Sequence, residues 1–169
     1  MDNHIIVDGE SSPREYFKLG LVIVTITIMS LLLNSKIGNG GWLEFLRWFM
    51  GVFFVVFALF KFAGFKMFAM MFAGYDIVAK RYRFYSYLYP FIELSLGIFY
   101  LFNVFPTTRD VITAFVMSIS VIGVVQELKK RKGIHCACLG NVIKLPLSTV
   151  SLIEDAGMGI MALVMLLWA

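Results

Sequence analysis

Residues 19–33 read LGLVIVTITIMSLLL, a run that contains no charged residue. With Phe17 and Lys18 ahead of it, the segment covers residues 17–33, near the short limit for a helix that crosses a hydrocarbon core about 30 Å thick. It therefore predicts a membrane anchor. Residues 1–16 form a polar arm of mixed charge, without the pattern of a cleavable signal peptide.

The whole chain has the composition of a membrane protein. Of its 169 residues, 60% are apolar and 15% are charged, whereas soluble domains are near half apolar and a quarter charged. The formal charge of +4 does not indicate nucleic-acid binding, because the basic residues lie between apolar segments. The sequence has no glycine-rich phosphate loop, no Ser/His/Asp set and no histidine pair for haem, so most enzyme classes lack their catalytic groups.

The apolar segments predict an all-α membrane protein, a bundle of five transmembrane helices in one domain of residues 17–169. The expected spans are about 17–33, 43–62, 85–105, 111–128 and 147–168. Residues 65–78 carry apolar side chains at helical spacing among charged ones, which predicts a helix at the membrane interface. Residues 106–110 are expected to form a tight turn.

The distribution of Lys and Arg predicts the orientation. With five spans, twelve basic residues fall on the side of the N-terminus, and only Lys36, Arg47 and Arg109 on the other. The richer side faces the cytoplasm. In a bacterial inner membrane, the N-terminus and the loop 129–146 are therefore expected in the cytoplasm and the C-terminus outside.

Both cysteines lie in that loop, as Cys136 and Cys138, after His135 and the basic run 129–132. Two thiolates one residue apart, beside an imidazole, suit Cu(I) or another thiophilic ion. A thiolate is also the attacking species in thiol–disulfide exchange. A reducing cytoplasmic face disfavours a resting disulfide and so favours metal capture. In a third interpretation the cysteines only fill a tight loop.

The last predicted span contains the adjacent acids Glu154 and Asp155. Ionisable residues within a span usually face a cavity, a partner or a pathway. Glu154 shares one helical face with three methionines, so this face could guide a soft metal ion; the alternative is that the methionines are core packing. These methionines are Met158, Met161 and Met165.

Glu93 follows Pro90 by one helical turn at the start of the third span. It is expected either to face Glu154 or to pair with a basic residue, for which the candidates are Lys61, Arg81 and Arg83. We give a functional and a structural role equal weight. Asp76 and Glu127 are expected to be solvated near the interface.

Several motifs together resemble the MauE/DoxX-like membrane proteins. They are FAGYDI at 72–77, YPFIELSLG at 89–97, CACLG at 136–140, LPLS at 145–148 and the acids 154–155. The resemblance covers about residues 45–168 and implies a four-helix core, to which the first span is an addition. It also implies redox-associated function: the MauE branch is linked to maturation of a disulfide-rich dehydrogenase, and some relatives to heavy-metal-binding domains.

The leading hypothesis is a membrane protein that captures or passes a soft metal ion, copper or similar. Cys136, Cys138 and His135 would bind the ion, and Glu154 and the three methionines would guide it. The alternatives are a redox protein, in which the two cysteines support maturation of a partner as a thiol–disulfide oxidoreductase, and a scaffold subunit without chemistry. Expected partners are the lipid bilayer and a soluble metal-binding or thioredoxin-like protein, with oligomers allowed and nucleic acid excluded.

Overall fold

A computed structural model describes residues 13–129 and 149–168, and all regular structure in these ranges is helical. Seven helices follow one another in this part of the chain. They are α1 (Pro13–Lys36), α2 (Trp42–Ala63), α3 (Phe65–Tyr75), α4 (Ile77–Arg81), α5 (Arg83–Leu101), α6 (Pro106–Lys129) and α7 (Thr149–Trp168). The all-α prediction is therefore confirmed for the described residues.

Three helices in this part of the chain are long and apolar enough to cross a membrane: α1 from Phe17, α2, and α6 as far as Gln126. Of the five predicted spans, this measure therefore supports three, and α5 and α7 are not among them. The described side chains of α7 begin only at Glu154. In α5, the physical reason is that Glu93, three tyrosines and two serines precede the apolar end. Such residues are costly in lipid unless the protein encloses them.

The core is built from two helix pairs, α2 with α5 and α6 with α7. Two glycines allow α2 and α5 to approach closely: a Cβ on Gly97 would lie 2.9 Å from Val55 Cγ2, and one on Gly51 would lie 2.8 Å from Leu101 Cδ2. The large side chains Phe54 and Phe57 fill the space beside this contact and are almost fully buried.

Helix α1 packs on α2 at the edge of the bundle. Its other face is a broad apolar surface, formed by the exposed residues Leu21, Val24, Ile28, Leu31 and Leu32. A face of this kind suits contact with lipid, because its side chains are apolar apart from Thr25, whose hydroxyl donates to the carbonyl oxygen of Leu21 at 2.8 Å. The apolar helices of this part of the chain thus support a multi-pass membrane protein.

The single interfacial helix predicted at 65–78 is divided into α3 and α4 at Asp76. Asp76 Oδ1 accepts hydrogen bonds from the backbone N–H groups of Val78 (2.9 Å) and Ala79 (2.8 Å), so it caps the start of α4. An acid in this role ends one helix and starts the next. Asp76 is 1% exposed, and the expectation that it is solvated is therefore wrong.

The turn predicted at 106–110 lies four residues earlier. Pro106 begins α6, because its fixed φ suits the first helical position and its missing N–H is not needed there. The chain reverses at 102–105, where Asn103 (φ 53°) and Phe105 (φ 43°) adopt the left-handed region. Arg109 secures the turn by donating to the side-chain oxygen of Asn103 at 3.0 Å.

Candidate functional site

A buried ion pair joins α2 to α5 in the interior of the bundle. The Lys61 ammonium lies 2.6 Å from Oε1 and 2.5 Å from Oε2 of Glu93. Lys61 is 5% exposed and Glu93 4% exposed. The ammonium also lies 5.0 Å from the ring centre of Tyr89 and 5.5 Å from that of Phe68. Of the pairings considered for Glu93, the structure contains the one with Lys61.

The acidic pair of α7 meets this ion pair at a small cavity of about 10 Å³, which has room for about one water molecule. Asp155 Oδ2 accepts a hydrogen bond from Ser120 Oγ of α6 at 2.9 Å. Glu154 Oε1 is buried and has no hydrogen-bond partner among the described residues. The residues around the cavity are Lys61, Glu93, Glu154 and Asp155, with Phe53, Phe54, Phe57, Met117 and Met158.

The ion pair and the acidic pair come from three helices that are distant in sequence. Lys61 and Glu93 both lie on the buried face of their helix. Lys61 lies in the last turn of α2, on the face that buries Phe54 and Phe57. Glu93 shares the inner face of α5 with Tyr89 and Leu96. Because burial of these otherwise apolar faces carries the two charged groups into the bundle, they need polar partners there.

The methionines predicted to guide a metal ion lie in the core. Met158 is 2% and Met165 7% exposed, and Met161 packs against the core. Met158 borders the cavity beside Glu154, whereas Met165 lines a different cavity with Arg47 and Arg109. The structure therefore places these residues along the bundle interior but brings only one of them to the acidic pair.

The predicted thiol site, Cys136 and Cys138 with His135, lies outside the described residues. Among residues 13–129 and 149–168 there is no group of three or more His, Cys, Asp or Glu side chains that could hold a metal ion. The side chain of Glu127 is likewise not described, so its predicted solvation stays a prediction.

The opposite end of the bundle contains a second polar cluster, which the sequence did not predict. Arg47 is 8% exposed and donates through Nη1 to the carbonyl oxygens of Tyr100 (2.8 Å) and Leu101 (3.1 Å), at the end of α5. Its Nη2 binds Glu44 at 2.7 Å. Arg47 thus satisfies terminal carbonyls that α5 leaves without an intrahelical partner. A signal existed, since Arg47 lies inside the predicted span 43–62.

Arg109 is buried in the same way. It is 2% exposed, bonds to Asp110 through Nε at 3.0 Å and lies over the ring of Tyr100 at 4.4 Å. Both arginines were counted as loop charges in the orientation argument, and the structure instead encloses them. Ser120 was also missed; it follows Thr113 and Met117 along the buried face of α6, a periodicity that could have identified it.

Asp76 is the buried acid at the end of the bundle where α3 and α4 meet. Burial raises the pKa of the Asp76 carboxyl above its ordinary value, and the hydrogen bonds from Ala79 and Val78 oppose the rise. Its second oxygen, Oδ2, is buried without a hydrogen-bond partner among the described residues. Desolvation therefore outweighs capping, and the neutral form is favoured more than in water.

Comparison with known protein families gives a match to the family described as Methylamine utilisation protein MauE, over residues 40–169. No curated protein and no solved structure matches the chain. The match takes in six of the seven helices and begins after α1, as the resemblance noted above implies. It covers more than half of the chain and both polar clusters. The chain accordingly belongs to the MauE family.

Proposed function

We propose that this protein is a membrane-embedded redox component that exchanges thiols and disulfides with a partner protein through Cys136 and Cys138. The observation that supports this is the MauE family match, which includes the loop holding both cysteines of the chain. Family membership supports a redox-associated membrane protein, and two thiols one residue apart supply the reacting groups.

The exchange begins when one thiolate attacks a sulfur of the partner's disulfide. A mixed disulfide forms, and the partner's other sulfur leaves as a thiolate. The second cysteine then attacks the mixed disulfide, so the cysteine pair is oxidised and the partner's disulfide is reduced by two electrons. Cytoplasmic thiols restore the dithiol. The cationic side chain of Lys129 is exposed at the start of this loop, and nearby cations favour thiolates.

The proposed orientation takes α5 and α7 to cross the membrane together with α1, α2 and α6. It keeps the loop 129–146 in the cytoplasm of a bacterial inner membrane. Two of the three basic residues assigned to the outer side, Arg47 and Arg109, are buried, which leaves exposed Lys36 there. Lys66, Lys80, Arg81, Arg83 and Lys129 are exposed on the other side. Because topology follows accessible Lys and Arg near the helix ends, the structure strengthens the charge bias.

The soft-metal hypothesis has no comparable support. The described residues, which do not include the cysteines, contain no group of three or more His, Cys, Asp or Glu side chains that could hold a metal ion. Met158 and Met165 pack in the core as methionines commonly do. The scaffold hypothesis predicts that the cysteines are dispensable, so the same experiment tests it.

The test is to trap the mixed disulfide in native membranes. Two single variants are compared, Cys136→Ser and Cys138→Ser. One of them lacks the resolving thiol, and this variant should accumulate a mixed disulfide with the partner protein. The disulfide-linked species should be visible on non-reducing electrophoresis and should disappear on reduction. The Cys136→Ser/Cys138→Ser variant is the matched control and should show none.

If neither single variant forms a mixed disulfide and Cu(I) protects both thiols from alkylation in the wild type, the metal hypothesis replaces the redox proposal. If the double variant supports the host's partner protein as well as the wild type does, the scaffold hypothesis is correct.

A further inference from the structure

We propose that the acidic pair of α7, Glu154 and Asp155, holds an exchangeable proton in the interior of the bundle, next to the Lys61–Glu93 ion pair. This inference is independent of the cysteines and of the proposed thiol chemistry. It concerns a binding site whose ligand is H⁺.

The charges around the cavity favour a bound proton. The cavity is bordered by three carboxyl groups and one ammonium. Lys61 and Glu93 compensate each other, since both carboxylate oxygens contact the ammonium. Among the described residues no further cation borders the cavity, so full ionisation of Glu154 and Asp155 would add two negative charges to it. Isolated charges are very costly in such surroundings, and buried groups neutralise instead. At least one proton therefore resides on the pair.

The two acids differ in their hydrogen bonds. Ser120 donates to Asp155 Oδ2 at 2.9 Å, which favours the ionised form of Asp155. Glu154 Oε1, in contrast, is enclosed and has no donor among the described residues. A buried carboxylate oxygen without a donor is unfavourable, whereas a protonated carboxyl carries its own hydrogen. The geometry thus assigns the proton to Glu154 at rest.

The size of the cavity also favours a proton as the ligand. The cavity measures about 10 Å³, about the space of one water molecule. An organic molecule does not fit in this volume, whereas a proton needs no volume, and one water molecule suffices to relay it between the two carboxyls.

The groups that act on the pair come from every neighbouring element. Lys61 of α2 and Glu93 of α5 border the same cavity, and α6 contributes the Ser120 hydroxyl. Asp76, at the junction of α3 and α4, acts electrostatically on Asp155. Asp76 has its own unpartnered buried oxygen, as does Ser86.

The test is infrared spectroscopy of the purified full-length protein in lipid vesicles, titrated with acid and base. The wild type should show a protonated-carboxyl band that persists well above the pH at which exposed acids ionise and disappears reversibly at higher pH. Glu154→Gln should remove most of this band. Glu44→Gln is the matched control, because Glu44 is a half-buried acid at the opposite end, and it should leave the band unchanged.

Two further variants keep the result interpretable. In Lys61→Met the compensating cation is absent, so the remaining carboxyls should hold protons about tenfold or more tightly and the band should persist to higher pH; a merely structural role for Glu154 predicts no such change. Cys136→Ser/Cys138→Ser should retain the band, which separates this proposal from the thiol proposal. A wild-type band identical to that of Glu154→Gln at every pH, or a band displaced by Na⁺ at constant pH, would overturn the proposal.

Discussion

The Lys61 ammonium contacts both carboxylate oxygens of Glu93, at 2.6 and 2.5 Å, and joins the last turn of α2 to the middle of α5. Neither residue has access to bulk solvent. The pair therefore makes α2 and α5 interdependent, since each helix encloses a charge that the other compensates.

Replacing one partner of this ion pair should lower the stability of the protein more than replacing both. We expect Glu93→Gln to lower the free energy of unfolding by about 3–5 kcal/mol, because Lys61 is left as a buried charge with weaker compensation. The double variant Lys61→Met/Glu93→Gln should recover a large part of that loss. Thermal unfolding in detergent measures both, and Lys66→Met, an exposed lysine on α3, is the control. Equal losses in the single and double variants would contradict the prediction.

Gly97 should not accept a side chain. A Cβ there would lie 3.0 Å from the backbone nitrogen of Val55 and 2.9 Å from its Cγ2. We expect Gly97→Ala to destabilise the bundle by about 1–3 kcal/mol, despite the better helix propensity of alanine. Gly20→Ala in α1 is the matched control: a Cβ at Gly20 meets nothing within 4 Å, so the helix should gain up to about 1 kcal/mol. The prediction is wrong if the two variants have the same melting temperature.

Asp76 should affect stability in two separable ways. Asp76→Ala removes the acceptor for Val78 and Ala79 and should cost about 1 kcal/mol, whereas Asp76→Asn retains an acceptor. The wild type should differ from Asp76→Asn in its pH dependence. Because the pKa of Asp76 is raised, the folded state binds more protons between the ordinary and the raised pKa, so wild-type stability falls as pH rises through that interval.

Unfolding at a series of pH values measures this difference. A stability difference between wild type and Asp76→Asn that is constant with pH would show that the carboxyl ionises as it does in water.

Arg47 should be required for the end of α5. Its Nη1 donates to the carbonyl oxygens of Tyr100 and Leu101, and Arg47→Met leaves these acceptors and Glu44 without that donor. We expect a loss of about 2–4 kcal/mol, the cost of unsatisfied buried groups including one charge. Lys36→Met, at an exposed helix end, should change stability by less than about 0.5 kcal/mol. Circular dichroism melts in detergent compare the two.

The reversal at 102–105 should lie on the same side of the membrane as the loop before α2. The bond from Arg47 to Leu101 brings the end of α5 to the start of α2, and the rings of Trp42 and Trp168, 6.1 Å apart, bring the end of α7 to the same place. In a cysteine-free background, Phe102→Cys and Asn39→Cys should both react with a membrane-impermeant reagent added to intact cells.

Phe102 is 75% exposed, so failure to label it would not follow from burial within the bundle. Labelling of Asn39→Cys but not of Phe102→Cys would place the 102–105 turn on the cytoplasmic side and contradict the proposed arrangement.

The sequence by itself determined the class and the locations of the unusual residues. The all-helical membrane character follows from composition and from runs such as 19–33, which depend only on neighbouring residues. The acidic pair at 154–155 and Glu93 could be identified because an ionisable group within an apolar helix is rare whatever surrounds it. The motifs at 72–77, 89–97 and 136–140 sufficed for the resemblance to the family.

Only the tertiary structure decided which groups meet. Lys61 and Glu93 are 32 residues apart, Ser120 and Asp155 are 35 apart, and Arg47 reaches a carbonyl 53 residues away. Such contacts depend on how whole helices pack, and helix packing is set by side-chain shape and by close approaches such as the one at Gly97, not by local periodicity. For the same reason the sequence counted Arg47, Asp76 and Arg109 as solvated charges, whereas the packed bundle encloses all three and gives each of them at least one hydrogen-bond partner.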